Sequence, residues 1–152
     1  VCSSDLPVFD KLDAGVAKAI MSIGAVKGVE IGDGFAAAGM YGSENNDSFY
    51  IKDGKPEKCT NHSGGVLGGI SDGSDFIVRA AFKPTPSIAS EQSTVNRNGE
   101  DIKIKVKGRH DPVIVPRAVV VVEAMTAITV VDMMLKRMTA TVSAVKEFYD
   151  KK

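Results

Sequence analysis

The spacing of hydrophobic and polar positions changes several times along the chain, and each change marks an element. Val8, Phe9, Leu12, Val16, Ala19, Ile20 and Ile23 recur at helical spacing with Asp10, Lys11, Asp13 and Lys18 opposite. That pattern predicts an amphipathic helix from about Pro7 to Ser22, ended by Gly24. Val26 to Ile31 reads as a short strand stopped by Gly32-Asp33-Gly34, and the alanine-rich stretch Phe35 to Met40 fits helix or strand. From Tyr41 to Gly65 the chain is polar, with Asp53-Gly54-Lys55-Pro56 a turn. A connection of that length in a compact domain is usually functional or mobile. Residues 64–70 then place four glycines (Gly64, Gly65, Gly68, Gly69) around Val66, Leu67 and Ile70. The run suits a tight structural turn or a ligand contact equally well, and matches neither the Walker nor the Rossmann spacing.

Phe76 to Phe82 predicts a strand ending at Lys83, and Ser87 to Gly99 is polar and exposed, closing on an Asn98-Gly99 turn. Beyond it, Ile102, Ile104 and Val106 alternate with Asp101, Lys103, Lys105 and Lys107, a strand of period two. Pro116 opens a long helix, where its missing N–H does no harm. The β-branched residues Val119 to Val122, Ile128, Val130 and Val131 oppose helix, but the apolar pattern runs further than strands normally do. Met125, Met133, Met134 and Met138 read as core or subunit-contact residues, and Thr141 to Lys152 as a charged helical tail. The order of elements predicts an α+β fold, antiparallel strands packed with long helices, in a single domain over residues 7–152.

The 152 residues carry 43% hydrophobic and 25% charged positions, with 19 basic and 19 acidic side chains. This balance argues against a general nucleic-acid or membrane surface, so any phosphate binding must come from a few placed groups. Ala118 to Leu135 is the most apolar stretch, but Glu123, Thr126, Thr129 and Asp132 interrupt it, which predicts a buried or interface helix rather than a membrane span. Cys2 and Cys59 suggest neither a disulfide framework nor a zinc site, and a reducing cytoplasmic setting follows as the default.

Two short segments carry chemistry that ordinary core structure would not ask for. Gly108-Arg109-His110-Asp111-Pro112 places a permanent cation and a carboxylate two residues apart, and Pro112 pushes Asp111 towards extended backbone. If the strand continues, Arg109 and Asp111 share one side and His110 the other. Spacing alone also allows an Arg–Asp pair that merely closes a strand end. Lys83-Pro84-Thr85-Pro86-Ser87 offers an ammonium, two hydroxyls and two fixed φ angles. Both segments fit an anionic ligand.

These segments also carry a family resemblance. Residues 9–14 (Phe-Asp-Lys-Leu-Asp-Ala), 26–35 (Val-Lys-Gly-Val-Glu-Ile-Gly-Asp-Gly-Phe), 61–65 (Asn-His-Ser-Gly-Gly), 67–71, 83–88, 108–112 and Arg117-Ala118-Val119 occur in the order found in chorismate synthase. The chain resembles the C-terminal part of that enzyme, from about Pro7 to Arg137. Val120, Val113 and Met133 depart from the family's common proline, cysteine and histidine, all three apolar and none striking the matched site. Val1 to Leu6 does not match, and we expect it to be a non-native segment encoded by adapter sequence.

The resemblance implies part of a β-α-β sandwich and an anti-1,4 elimination of phosphate from 5-enolpyruvylshikimate 3-phosphate, giving chorismate with reduced FMN. NADP(H) enters only as a source of flavin reduction. It implies FMN contacts at Gly24, Ala25, Gly68, Lys83, Pro84, Thr85, Pro86 and Ser87. Arg109 is implied at cofactor and substrate, Asp111 as acceptor of the flavin N5 proton, and His110 as structural. It implies a cytoplasmic homotetramer. The residues implied to hold most of the substrate lie in the family's N-terminal region, so the expectation for these 152 residues alone is an inactive wall of a site. The alternative is a non-catalytic flavin- or phosphate-binding or oligomerisation module.

Overall fold

A computed structural model describes residues 8–108, 113–139 and 142–150. Helix α1 spans Leu12–Met21 and packs its apolar stripe on an antiparallel pair, β1 (Val26–Ile31) and β6 (Val78–Phe82). Val16, Ile20 and Val26 are buried at this contact, with Leu12, Ile23, Val29, Phe76, Val78, Ala80, Phe82 and Val122 around them. The predicted helix begins later than its periodicity suggests. Asp10 takes a left-handed φ of 56°, which an α-helix cannot continue through, and Val8 and Phe9 are left exposed. The first helical N–H, that of Leu12, is satisfied from outside the helix by the Gly69 carbonyl at 2.9 Å.

Between β1 and β6 the polar stretch is not a structureless loop. A 3₁₀ turn (Gly34–Gly39) resolves the ambiguity of the alanine run, followed by one turn of helix α2 (Gly42–Asn45). Strands β2 (Phe49–Lys52) and β3 (Lys55–Lys58) then form a hairpin, with Asp53 and Gly54 at φ 51° and 76° as its two-residue turn. A second, minimal hairpin pairs β4 (Val66–Leu67) with β5 (Ile70–Ser71). Strands β7 (Glu91–Val95) and β8 (Asp101–Lys105) make a third. β7 lies where a polar exposed loop was expected. Its Glu-Gln-Ser-Thr sequence has no apolar alternation, and pairing with β8, reinforced by Lys103 to Glu91 at 2.8 Å, makes it a strand.

Helix α3 (Val115–Thr139) begins at the expected point, and α4 (Val142–Asp150) follows. Val122, Met125, Thr126, Thr129, Val130 and Met133 form its half-buried stripe at the i, i+3, i+4 spacing of one helix face. This stripe meets α1 at Gly15, where a β-carbon would stand 3.4 Å from Met133 Sδ and 3.6 Å from Thr129 Cγ2. The rest of α3 is not buried as expected: Val119, Val120, Ile128, Val131, Met134 and Leu135 are exposed. By length and composition Val115–Arg137 could cross a membrane, with mean hydropathy 2.0 and 6% of that window buried.

The glycine-rich run is held by backbone contact. Gly32 and Gly64, both left-handed, lie so close that a β-carbon on either would collide with the other's main chain. Gly32 N–H donates to Ile77 O at 3.0 Å, and Ile77 N–H donates to Gly64 O at 3.1 Å. Gly64→Ala should therefore cost at least about 2 kcal/mol in urea denaturation. Gly73→Ala, left-handed but with open space around it, should cost only about 1 kcal/mol.

Candidate functional site

The β1–β6 ladder gathers polar groups at both ends. At the first end, α1 passes into β1 through a turn closed by Val26 N–H to Ile23 O at 3.2 Å. Its third residue, Ala25, has φ 71°, a conformation that favours glycine. The neighbouring glycine, Gly24, shows no positive φ, and a β-carbon there would meet nothing within 4 Å. Ala25 O accepts the Lys83 N–H at 2.7 Å, and the register slips between Val26 and Gly28, a bulge of the kind that re-aims a strand end. From here residues 83–87 leave the ladder. Lys83, Pro84 and Pro86 are exposed, Thr85 and Ser87 half-buried. Pro86 O anchors the segment by accepting Gln92 Nε2 at 3.0 Å and Ile88 N–H at 3.1 Å.

At the other end the Gly32-Asp33-Gly34 turn meets Asn61 to Gly65. Asp33 N–H donates to His62 O at 2.8 Å, and His62 Nδ1 lies 2.5 Å from Asp33 Oδ2, both side chains about a quarter exposed. Arg79 closes the turn, its Nη2 donating to Gly32 O at 3.0 Å and Asp33 O at 2.9 Å while Nε reaches Glu30 Oε2 at 3.1 Å. Glu30 Oε1 accepts the Phe35 N–H at 3.0 Å.

Behind His62 is an ion cluster. Lys58 Nζ donates to Asp72 Oδ2 at 2.5 Å, Ser63 Oγ at 2.7 Å and Asp47 Oδ2 at 3.3 Å. The three charged side chains are only 6–9% exposed. Asp47 also accepts from Thr60 Oγ1 and from the N–H groups of His62 and Ser63. Burial by itself would push the Asp47 carboxyl up, but the Ser63 N–H, the Thr60 hydroxyl and the His62 N–H outweigh it and hold it well below the usual carboxylate range. Asp72 is likewise lowered, burial being outweighed by Lys58 and Ser74, and Lys58 is raised, burial being outweighed by Asp72 and Asp47.

Of the residues implied by resemblance, the structure brings Gly24, Ala25 and Lys83 together. Gly68, at φ 61° in the β4–β5 turn, lies at the opposite end, beside Gly69, whose carbonyl meets the first residue of α1. The ten residues of α1 put about 15 Å between these ends. Gly64, Gly65 and Gly69 are glycines because protein atoms crowd them. Arg109, His110, Asp111 and Pro112 lie outside the described residues. The Asp33–His62 pair and the Lys58 cluster were not singled out in the sequence. Their bonded members are 5 to 29 positions apart with no period, so spacing gave no sign of the contacts, although Asp33 and His62 stand in the motifs at 26–35 and 61–65.

A helix backing a two-stranded ladder, with loops gathered at both ends, defines an α+β scaffold for a ligand site. The family model for chorismate synthase matches residues 5–135. The chorismate synthase of Lachnospira eligens is 68% identical over 145 residues, covering 95% of this chain and 40% of that protein. That of Archaeoglobus fulgidus is 61% identical over 130 residues, 85% of this chain and 36% of the relative. A crystal structure of chorismate synthase superposes with a TM-score of 0.64 at 34% identity, covering 93% of this chain and 35% of that one. The chain belongs to the chorismate synthase family. It spans about 40% of the length of the curated relatives it matches best here.

The ion cluster sets a pH window for stability. Asp47 and Asp72 are depressed, so their contribution is present above the unfolded carboxylate pKa of about 4 and is lost as pH falls below it. Lys58 is raised, so its contribution is present below about 10.4 and lost as pH rises through its folded value. Lys58→Met should cost about 3–5 kcal/mol at pH 7, because it strands buried carboxylates, and should shrink that loss towards pH 3 as they protonate. Chemical denaturation of both proteins across pH 3–8 measures this.

Proposed function

We propose that these residues form the flavin-side wall of an enzyme that eliminates phosphate from 5-enolpyruvylshikimate 3-phosphate to give chorismate, with reduced FMN bound, on the route to the aromatic amino acids. The reaction class is a carbon–oxygen lyase acting on a phosphate. The observation that carries the reading is the misplaced glycine before β1. The protein's own turn asks for glycine at position 25, yet Ala25 sits there at φ 71° and the glycine is at 24, facing open space. Strain of about 1–3 kcal/mol retained at one residue, beside a bare Cα that no protein contact requires, is what close approach of a ligand would demand.

The neighbouring groups fit an anionic, hydroxyl-bearing ligand. Among the described residues, no hydrogen bond or ion pair engages the Lys83 ammonium or the Thr85 and Ser87 hydroxyls. Lys83 supplies a point positive charge, and the hydroxyls donate or accept as the ligand requires. Pro84 and Pro86 fix backbone φ in advance, so less freedom is lost on binding. What bound FMN supplies is transient electron density for expelling phosphate, with no net redox change. Arg109 and Asp111 take their roles from the family motif: Arg109 holds anionic oxygens, and Asp111 accepts the proton at flavin N5. The finer reading includes a cytoplasmic homotetramer and NADP(H) as a source of flavin reduction. The exposed apolar faces of α3 favour assembly as a second reading, in which these residues form oligomers without binding flavin.

Gly24→Val should leave stability within about 0.5 kcal/mol, as space is open there, yet weaken FMN at least tenfold in a fluorescence titration. Lys83→Ala should do the same, whereas Gly42→Val should not. FMN affinity unchanged in both site variants would sink the flavin reading. Anaerobic turnover offers an independent check: with reduced FMN and the phosphorylated substrate, the 152 residues alone should give no measurable chorismate. Phosphate departure needs a preorganised cationic clamp, which the described loops supply only in part.

A further inference from the structure

The Asp33–His62 pair has a geometry that a simple loop staple does not need. A carboxylate only accepts, so in the contact of Asp33 Oδ2 with His62 Nδ1 the ring donates from Nδ1, and in the tautomer carrying that single proton Nε2 is the accepting nitrogen. No described residue bonds Nε2, and no buried polar side-chain atom is left without a partner. Nε2 therefore opens to solvent on a ring that is about a quarter exposed.

The backbone of His62 is tied at both polar groups. Its N–H donates to Asp47 Oδ1 at 2.8 Å, and its carbonyl accepts from Asp33 at 2.8 Å. Asp33 is itself fixed, because Arg79 takes its carbonyl at 2.9 Å. Asp47 is fixed through Lys58 and Thr60. A residue fixed at both backbone groups and at one ring nitrogen, with the other nitrogen free beside a glycine-rich turn, is preorganised to receive a ligand rather than merely to join two loops.

We infer that His62, oriented by Asp33, is a ligand-facing hydrogen-bond acceptor that takes an O–H or ring N–H group of the molecule bound against the Gly64–Gly69 run. The inference rests on the flavin and substrate reading above for the identity of that molecule. Both candidates carry such donors: the ribityl and ring positions of FMN, and the cyclohexene hydroxyl of the phosphorylated substrate. Asp33 is a positioning residue, acting through His62.

Substitution separates this role from a structural one. His62→Asn places an amide nitrogen as many bonds from the backbone as Nδ1, so the Asp33 bond survives while Nε2 is lost. His62→Gln does the reverse and restores an acceptor at the Nε2 distance. The chain has two histidines, so ¹⁵N-imidazole spectra of the 152-residue chain, with His110→Gln for assignment, resolve His62 directly. The proposed role requires the proton on Nδ1 and a bare Nε2 in the free protein.

Titration with FMN, or separately with 5-enolpyruvylshikimate 3-phosphate, should shift the Nε2 resonance. His62→Asn should keep the wild-type Tm and weaken that probe at least tenfold, and His62→Gln should recover part of the loss. The probe that moves Nε2 identifies the donor. FMN binding that is sensitive to Lys83→Ala but leaves Nε2 and the His62→Asn affinity unchanged, with no response to the substrate, overturns this inference and spares the flavin reading. Absence of FMN binding with a substrate-dependent Nε2 shift overturns the flavin reading and supports the inference. An imidazolium in the free protein, or silence towards both probes, overturns it.

Discussion

The backbone of Gly32 lying against that of Gly64 is the constraint on which the rest of the site depends. No side chain separates the two segments, so the end of β1 and the glycine-rich run approach as closely as main chains can. Ile77 then bonds to both, which sets where β6 begins and therefore its register along β1. Asp33 and His62 are the residues just outside this crossing, and their mutual bonds follow from it. The Lys58 cluster secures the outer layer by joining the β2–β3 hairpin to Ser63 and Asp72. A net negative buried cluster is costly unless well bonded, and here its carboxylates accept mainly from the loop whose position matters.

Register carries the effect of that crossing to the far end of the ladder. With Ile31 opposite Val78 and Val26 opposite Phe82, Lys83 has to emerge beside Ala25, and its N–H bonds there. The five residues of β6 separate the two ends by about 17 Å. A molecule that touches both Lys83 and the Gly64–Gly69 run must be extended, or two ligands must each take one end. The proposed reaction involves both a long cofactor with a phosphate tail and a compact phosphorylated substrate, so the spacing is compatible with either arrangement.

Much of this was legible wherever local chemistry decides the outcome. The short strand Val26 to Ile31, the Asp53-Gly54 and Asn98-Gly99 turns and the helix opening near Pro116 all appear where their residues predict them. The failures arise where contacts with another segment, and not the local pattern, decide the outcome. Val8 and Phe9 continue the apolar period of α1, but Asp10 and the Gly69 carbonyl end the helix before them. β7 has a polar sequence and exists because β8 pairs with it. At the site, the chemistry of Lys83 to Ser87 could be read directly, whereas its adjacency to Ala25 follows only from the ladder. Asp33 and His62 each stand in a quoted motif, but their contact across 29 positions could not be read because neither residue belongs to a periodic pattern.

Stability poses the remaining physical question, and surface area sharpens it. A monomeric protein of 16.1 kDa exposes about 7,400 Å² when folded, whereas this chain exposes 11804 Å². The excess of roughly 4,400 Å² on one side exceeds the single-partner share of an obligate interface of about 5,000 Å² in total. Aliphatic side chains that water does not favour are exposed, such as Val119, Val120, Ile128, Val131 and Leu135 on α3 and Ile102 and Ile104 on β8. Only Val16, Ile20, Val26, Val66 and Ala118 are buried hydrophobics among the described residues, a small core with which to offset the ordering of so long a chain. The balance favours a segment whose apolar faces are completed by further protein surface. Under the proposed function, the two ends of the β1–β6 ladder would be walls completed by that further surface, which is how a short antiparallel pair and two loops could contribute to a site for ligands too large for them to enclose alone.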